Sequence, residues 1–518
     1  MAPLSKDSQP PGTEVTGSTE VNPVSYQDAS TQVTPLPPPI AGEELLPVPI
    51  DAPPPGIIPE AISVPKSTLA LDEVVNSVRA NFPLIRVVVD ERQIRSGQEL
   101  SAWGAFDHKL KGASETEPLG YYENYRHGIA VERDTMWGGK TVAGYRIGRG
   151  IFEPWYLERQ TNEGGEFKAG MLVPLARNRW IDPNRAALWQ AQVARNQVEP
   201  EIQAEIVQFV RDGSIVYWNW VAEGQVRDVA KSLLEIAQSR NKAIARQVET
   251  GDRPQIELID NERMIVSREA RLIDAEQKLD QMAIKLSLFF RGSDGMPLVA
   301  DDNRLPSRFP QIGNRLQRSE QEDIEFALTN RPDAAVLNFT REIFEIERRQ
   351  AENLIQPEIY AGLLGSQDVG APTSPTRDKS PFELEASLTV EVPVERRKAF
   401  GELRKAQGKI SQLNSKQRYL YDKIAAEVRS ARVALEATRL RVEKTTESLQ
   451  LAVKMEETER RSFELGNSTL LDVNLREQQA ADAAIELVAA QVNYYQAEAD
   501  YVAALGLVGF RPDVQAAK

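Results

Sequence analysis

The chain has 518 residues, 27% charged and 41% hydrophobic, with a formal net charge of −14; that fits two or three ordinary domains, or one elongated one, and not a disordered polymer. A diffusely acidic protein does not attract nucleic acid or anionic headgroups, and it disfavours anions in any enclosed space. There is no Cys, which removes disulfides, thiolate chemistry, cysteine metal sites and a lipid-anchored N-terminal cysteine.

No apolar run reaches about 18 residues, so no transmembrane helix is expected. The opening MAPLSKDSQPPG has neither the basic nor the apolar region of a secretory signal. On this reading the protein is intracellular, or a signal is missing from the chain. Residues 1–66 are rich in Pro, Ser, Thr and Glu, with Pro37-Pro38-Pro39 and Pro53-Pro54-Pro55. Such a stretch cannot bury enough apolar surface to fold and reads as an extended, disordered extension.

From residue 67 onward the chain states one pattern twice. Residues 69–100 read as a helix broken near Pro83, and 324–355 as its counterpart, with Asn81-Phe82-Pro83 matching Asn330-Arg331-Pro332. An extended region follows each. The first spans 103–174: Trp103 to Leu110, a Gly- and Tyr-rich part at 120–150, then Glu166 to Val173. Within it 128–148, with Gly138-Gly139 at the middle, reads as an added hairpin. The second spans 358–392: Glu358 to Leu364, then Phe382 to Val392. In Phe382, Leu384, Ala386, Leu388, Val390 and Val392 the even positions are apolar, with Glu383, Glu385, Ser387, Thr389 and Glu391 between them. Phe167, Ala169, Met171 and Val173 repeat the alternation. A strand with one apolar and one polar face fits a soluble half-buried sheet and, equally, a barrel with lipid outside and water inside.

Each strand region ends in a proline turn, Val173-Pro174-Leu175 and Val392-Pro393-Val394, that leads into a very long helical pattern. The first covers 183–249 and the second 396–465, each roughly 100 Å of helix at 1.5 Å per residue. Heptads run through Leu403 and Ile410, with Ile424 in that register, then shift by four to Val428, Leu435, Val442 and Leu449, a stutter that relaxes supercoiling. Gly251 and Gly466, 215 positions apart, close the two long helices. Helices over 254–290 and 469–506 follow. Leu258, Ile265, Leu272, Leu279 and Leu286 form the apolar seam of the first, and Val473, Ala480, Leu487, Tyr494 and Tyr501 that of the second. Ala483, Ala490, Ala497 and Ala504 form a small-residue stripe that favours close helix approach. The division is thus a first repeat over 67–292, a linker over 293–320, a second repeat over 321–508 and a tail over 509–518, a duplicated structural unit.

The order helix, strands, long helix, turn, helix, given twice, together with Gly466-Asn467-Ser468-Thr469-Leu470-Leu471-Asp472-Val473 at the second turn, resembles the TolC family of outer-membrane efflux proteins over roughly residues 69–508. The resemblance implies a mostly α fold with a β-barrel contribution: a homotrimer whose long helices form a periplasmic tunnel and whose strands close a shared barrel in outer-membrane lipid. It implies an outer-membrane channel of a tripartite efflux or type I secretion system, with a periplasmic adaptor and an inner-membrane pump as partners. Short strands cannot span lipid with open edges, so sharing them between copies is a physical requirement of that reading. The 1–66 extension and the long 120–164 insertion depart from the family pattern.

The resemblance places Gly251, Asp252, Arg253, Gly466, Asn467 and Ser468 at helix tips that contact the adaptor. Glycine there also serves plain chain reversal. Asp472 stands where the family has an aspartate ring at the periplasmic entrance, with Glu257 as its first-repeat counterpart. Either carboxylate equally serves as a solvated helix-start group favoured by the helix dipole. Leu475 stands where some members have a second aspartate, and Ser468 where some have a gating arginine. Trp180, Trp189, Trp218 and Trp220 read as packing residues. Tyr121, Tyr122 and Tyr125 fit an interfacial girdle or a surface loop.

Other signals lead nowhere. Gly138-Gly139-Lys140-Thr141 ends like a phosphate loop, but Asp134 occupies the required first glycine position. Asn338-Phe339-Thr340 is a chance sequon. With only His108 and His127, a histidine metal site or general base is not expected. No enzyme and no cofactor are expected. The rival class is a soluble coiled-coil scaffold, for which the alternating strands have no use.

Overall fold

Two prolines each break a helix at the same point of its repeat. In the computed structural model, which describes residues 68–153, 160–313, 315–373 and 382–508, α1 (Leu71–Asn81) stops at Phe82 and α2 (Pro83–Trp103) restarts with proline in its first turn. In the second repeat α5 (Glu320–Asn330) stops at Arg331 and α6 (Pro332–Asn353) restarts the same way. Proline lacks the N–H that an interior position would donate, but at a first turn that donor is unpaired anyway. The 1–66 extension and the 509–518 tail lie outside the described residues.

Six strands follow in two groups: β1 (Lys109–Glu117), β2 (Asn124–Asp134), β3 (Lys140–Gly150) and β4 (Glu166–Pro174) after α2, and β5 (Glu358–Asp368) and β6 (Glu383–Glu391) after α6. They form one sheet in chain order, every neighbouring pair antiparallel. The stretch Trp103–Leu110 is not extended as expected. Trp103 ends α2, Gly104–Phe106 make a single tight turn, and the strand begins at Lys109. Gly104 provides no strand-favouring side chain, and its N–H instead bonds back to carbonyls of the last turn of α2.

The long helices are α3 (Pro183–Glu249), with 67 residues, and α7 (Arg397–Glu464), with 68. Asp182 caps α3, accepting from the Asn184 and Arg185 backbone N–H groups at 2.8 and 3.0 Å. Each long helix folds back on the shorter helix after it, α4 (Gln255–Leu286) on α3 and α8 (Leu470–Ala504) on α7. α8 also packs along α3, so the two hairpins join there.

The two apolar seams fare differently. In α8, Val473, Ala480, Tyr494 and Tyr501 are buried, as are Ala490, Ala497 and Ala504 of the alanine stripe. In α4 only Leu279 and Leu286 of the expected seam are buried; Leu258, Ile265 and Leu272 are half-buried, and the deep positions are Asn261, Arg268 and Ala275. The cause is how much neighbouring helix each meets: α8 packs along both α7 and α3, whereas α4 packs along α3 and meets α8 through Arg268 and Arg271. A further apolar stripe on α4, Ile259, Val266 and Ile273, repeats every seven residues and stays exposed.

The core sits where the inter-repeat segment crosses the helices. Phe309 stacks with Tyr495, and Tyr495 with Trp218 at 4.1 Å between ring centres. The tyrosine hydroxyls donate to backbone carbonyls, Tyr217 to Leu69, Tyr494 to Gly313 and Tyr495 to Pro310. Gly224 of α3 makes room for Leu305, whose Cδ2 would lie 2.1 Å from any added Cβ. The segment 293–320 is therefore packed structure along much of its length.

Candidate functional site: sheet wall and helix tips

Strand register sorts the sheet into two faces. Residues directly opposite each other in an antiparallel pair share a face. From β1 to β6, one face carries Leu110, Val131 and Ile129, Ala143 and Tyr145, Phe167 and Met171, Leu363, and Leu384 and Leu388. The other carries Lys111, Glu132, Lys140, Arg146, Glu166 and Lys168, Glu358, and Glu383 and Glu385. The polar face holds cross-strand ion pairs: Lys111 and Lys140 each lie 2.7 Å from Glu132, and Arg146 pairs with Glu166. The apolar face is open. Leu110 is 70% exposed and Leu388 66%, with Phe167, Met171 and Leu384 also exposed. Among the described residues no helix or other strand covers these exposed apolar side chains, so this face is not that of a half-buried sheet. The strands are nine to eleven residues long, the length at which a tilted strand crosses a hydrocarbon layer.

Aromatic residues lie beyond both ends of the sheet. At the helix side are Trp103, Trp137 in the β2–β3 turn and Trp180 ahead of α3, all exposed. Trp180 is not a packing residue as expected: it is 75% exposed, with the Arg179 guanidinium 5.1 Å from its ring centre. Trp218 and Trp220 are buried and Trp189 packs against Ile181, Ala186 and Val193. At the far side, Tyr121 and Tyr122 meet edge-to-face in the β1–β2 connection, and Tyr125 sits on the apolar face of β2.

The helix tips are near copies. Gly251 and Gly466 have φ of +80° and +78°, the left-handed conformation that costs a side chain about 1–2 kcal/mol. In each, the next residue's N–H reaches back over the turn, Asp252 to the Gln247 carbonyl at 2.8 Å and Asn467 to the Ser462 carbonyl at 2.9 Å. An added Cβ meets nothing within 4 Å at either glycine. Gly466→Ala is therefore expected to cost only the conformational term, about 1–2 kcal/mol, seen as a drop in thermal midpoint with the assembly intact.

Asp472 is exposed and completes a capping box. Its Oδ2 accepts from the Thr469 hydroxyl at 2.6 Å and the Thr469 N–H at 3.4 Å, while its own N–H donates to Thr469 Oγ1. Glu257 is half-buried and accepts from Arg253 at 2.7 Å; the Arg253 guanidinium lies over the Phe463 ring at 4.4 Å. The first tip thus leans on the end of α7, and the two tips lie side by side. Asp252 accepts from the Thr250 hydroxyl at 2.6 Å, and the Ser468 hydroxyl donates to Glu459.

One cluster near the tips was not read from the sequence. Glu477 of α8 is buried between Arg240 of α3, with which it pairs, and Arg268 of α4, 3.0 Å away. Arg240 also donates to Asn474 at 2.6 Å, and Arg268 to the Leu233 carbonyl at 2.7 Å. Burial, then neighbouring guanidinium groups, lowers the pKa of each arginine to about 10. Both remain cationic at neutral pH. This triad ties three helices and both hairpins together. A possible signal was Arg268 seven residues from Asn261 and Ala275, but polar residues at that spacing read equally as a solvated face.

No family model matches the chain, and no curated protein does. Solved structures do. The outer membrane protein VceC of Vibrio cholerae matches with a TM-score of 0.57 at 14% identity, covering 84% of this chain and 96% of its own. The open state of the MtrE outer membrane channel of Neisseria gonorrhoeae matches at 0.58 and 14%, covering 84% and 89%. CusC, described for its folding and transmembrane channel formation, matches at 0.60 and 14%, covering 84% and 92%. At these identities the likeness is one of fold. The chain shares the fold of these outer-membrane channels, with long antiparallel helices joined to an antiparallel sheet.

Proposed function

We propose that the chain is the outer-membrane channel component of a tripartite efflux or type I secretion system, a passive conduit across the periplasm and outer membrane. The observation that carries this reading is the open apolar face that runs across β2 to β6 and reaches β1 at Leu110, set at the end of helices roughly 100 Å long. A face of that size left in water is an aggregation site; against lipid it is favourable. The aromatic residues beyond both ends of the sheet fit the two interfacial girdles of such a barrel.

Three copies complete the structure on this reading. The exposed heptad stripe Ile259, Val266 and Ile273 of α4, together with Val433, Leu440 and Leu451 exposed on α7, supports helix contacts between copies. A periplasmic adaptor meets the tips around Gly251, Asp252, Arg253, Gly466, Asn467 and Ser468, and an inner-membrane pump supplies the energy. Asp472, exposed at the start of α8 in each copy, contributes to a carboxylate ring at the entrance. Glu257 stands further back, held by Arg253.

A ring of three carboxylates favours cations. In planar bilayers Asp472→Asn is expected to lower the cation-over-anion permeability ratio of the purified channel by at least twofold. An unchanged ratio with intact conductance would remove Asp472 from the conduction path.

A further inference from the structure

The sheet has six strands in one chain, and its two edges, β1 and β6, are exposed along their whole lengths. Resting on the three-copy channel reading above, we infer that the wall of the assembly is an 18-stranded barrel in which β6 of each copy pairs with β1 of the next. The hairpin β2–β3 is then part of the wall, not an ornament on it.

Four observations carry this. An even number of alternating strands leaves β1 and β6 running in opposite directions, so every seam between copies is antiparallel like the pairs within the sheet. The edge strands have nine residues each. With their helix-side ends level, Lys109 faces Glu391 and Ala113 faces Ser387 on the polar side, while Leu110 meets Val390 on the apolar side. The polar face therefore continues across the seam, and the apolar face continues at Leu110, beyond which Gly112, Ser114 and Thr116 of β1 come opposite Leu388, Ala386 and Leu384.

The inserted hairpin also obeys the wall's pattern. Ile129, Val131, Ala143 and Tyr145 continue the apolar face, and Glu132, Lys140 and Arg146 continue the polar one. A hairpin folded off the wall needs no such phase match.

The fourth observation is the slant. Pairing leads from Lys109 through Glu132, Val142, Gly170 and Leu364 to Glu385, six residues short of the helix-side end of β6 at Glu391. With level seams, three copies accumulate a shear of about 18. At about 3.3 Å per residue and 4.8 Å between strands that gives a tilt of about 35°, within the roughly 35–45° of membrane barrels. The backbone diameter is then about 34 Å, against about 23 Å if β2 and β3 lie off the wall and four strands per copy remain. At 18 strands a barrel holds open water.

The chain has no Cys, so introduced cysteines report without background. Ala113→Cys is combined in turn with Glu385→Cys, Ser387→Cys and Thr389→Cys in the full chain, extracted from membranes and oxidised, and the best-linked variant is imaged by electron cryomicroscopy in lipid nanodiscs. The expected result is reducible dimers and trimers from at least one pair, none from single variants, and 18 wall strands. Failure of all three pairs to link copies overturns the seam. Twelve wall strands, with β2–β3 off the wall, overturn the inference and leave the channel standing. A linked or unlinked protein with no barrel overturns the inference and the channel reading together.

Discussion

Leu388→Arg is expected to prevent stable assembly in the membrane, while Ser387→Arg, one residue away, is tolerated. Leu388 sits near the middle of β6 on the apolar face, and Ser387 on the face that carries the ion pairs. A cation facing lipid near the midplane of a barrel costs about 2–4 kcal/mol, falling towards zero at the interfaces. The cost recurs in every copy, whereas Ser387→Arg adds a charge to a wet, already charged surface. Urea titration of the protein folded into lipid vesicles measures the difference. A soluble sheet buried against protein gives no such asymmetry between neighbouring positions, so equal effects would count against lipid on that face.

The second large effect is expected at Glu477. Removing one partner of a buried charge cluster leaves the others uncompensated and costs about 3–5 kcal/mol. Glu477→Ala strands Arg240 and Arg268, both still charged at neutral pH. Their guanidinium groups converge on the removed carboxylate from two helices. The thermal midpoint should fall sharply, and the two hairpins should lose their shared anchor. The triple replacement Arg240→Met, Arg268→Met and Glu477→Leu is expected to recover most of the loss, because apolar groups of similar volume avoid the desolvation penalty. If Glu477→Ala is silent in calorimetry, the triad does not hold the hairpins together.

The contrast between these two sites explains what could be read in advance. The face of β6 was legible because strand periodicity is two and its apolar residues alternate without exception from Phe382 to Val392. The long helices were legible because capping, proline and heptad signals agree, as Asp182-Pro183 does at the start of α3. The breaks at Pro83 and Pro332 were legible because proline acts locally. β1 was mostly illegible: Lys109–Glu117 holds only Leu110 and Ala113 as apolar side chains, and its face is set by pairing with β2. The triad was illegible for a different reason. Arg240, Arg268 and Glu477 come from three helices, and charge on a helix reads as solvated until a neighbour covers it. The half-covered seam of α4 follows the same rule, since periodicity names a face but not how many helices meet it.

At the tips, sequence and structure divide the labour of two carboxylates that the repeat had made equivalent. Asp472 caps α8 and remains exposed, while Glu257 is drawn to Arg253, which in turn rests on Phe463. The difference arises at position 253, whose counterpart in the second repeat is Ser468, too short to reach back over the helix start as arginine does.

Where the protein resides tests the channel most directly. In the cells that naturally make it, the chain should be found in the outer-membrane fraction, released by detergent and not by salt, and sized as three copies that separate on heating. Recovery from the soluble fraction as a monomer or dimer would contradict the channel and favour the coiled-coil scaffold.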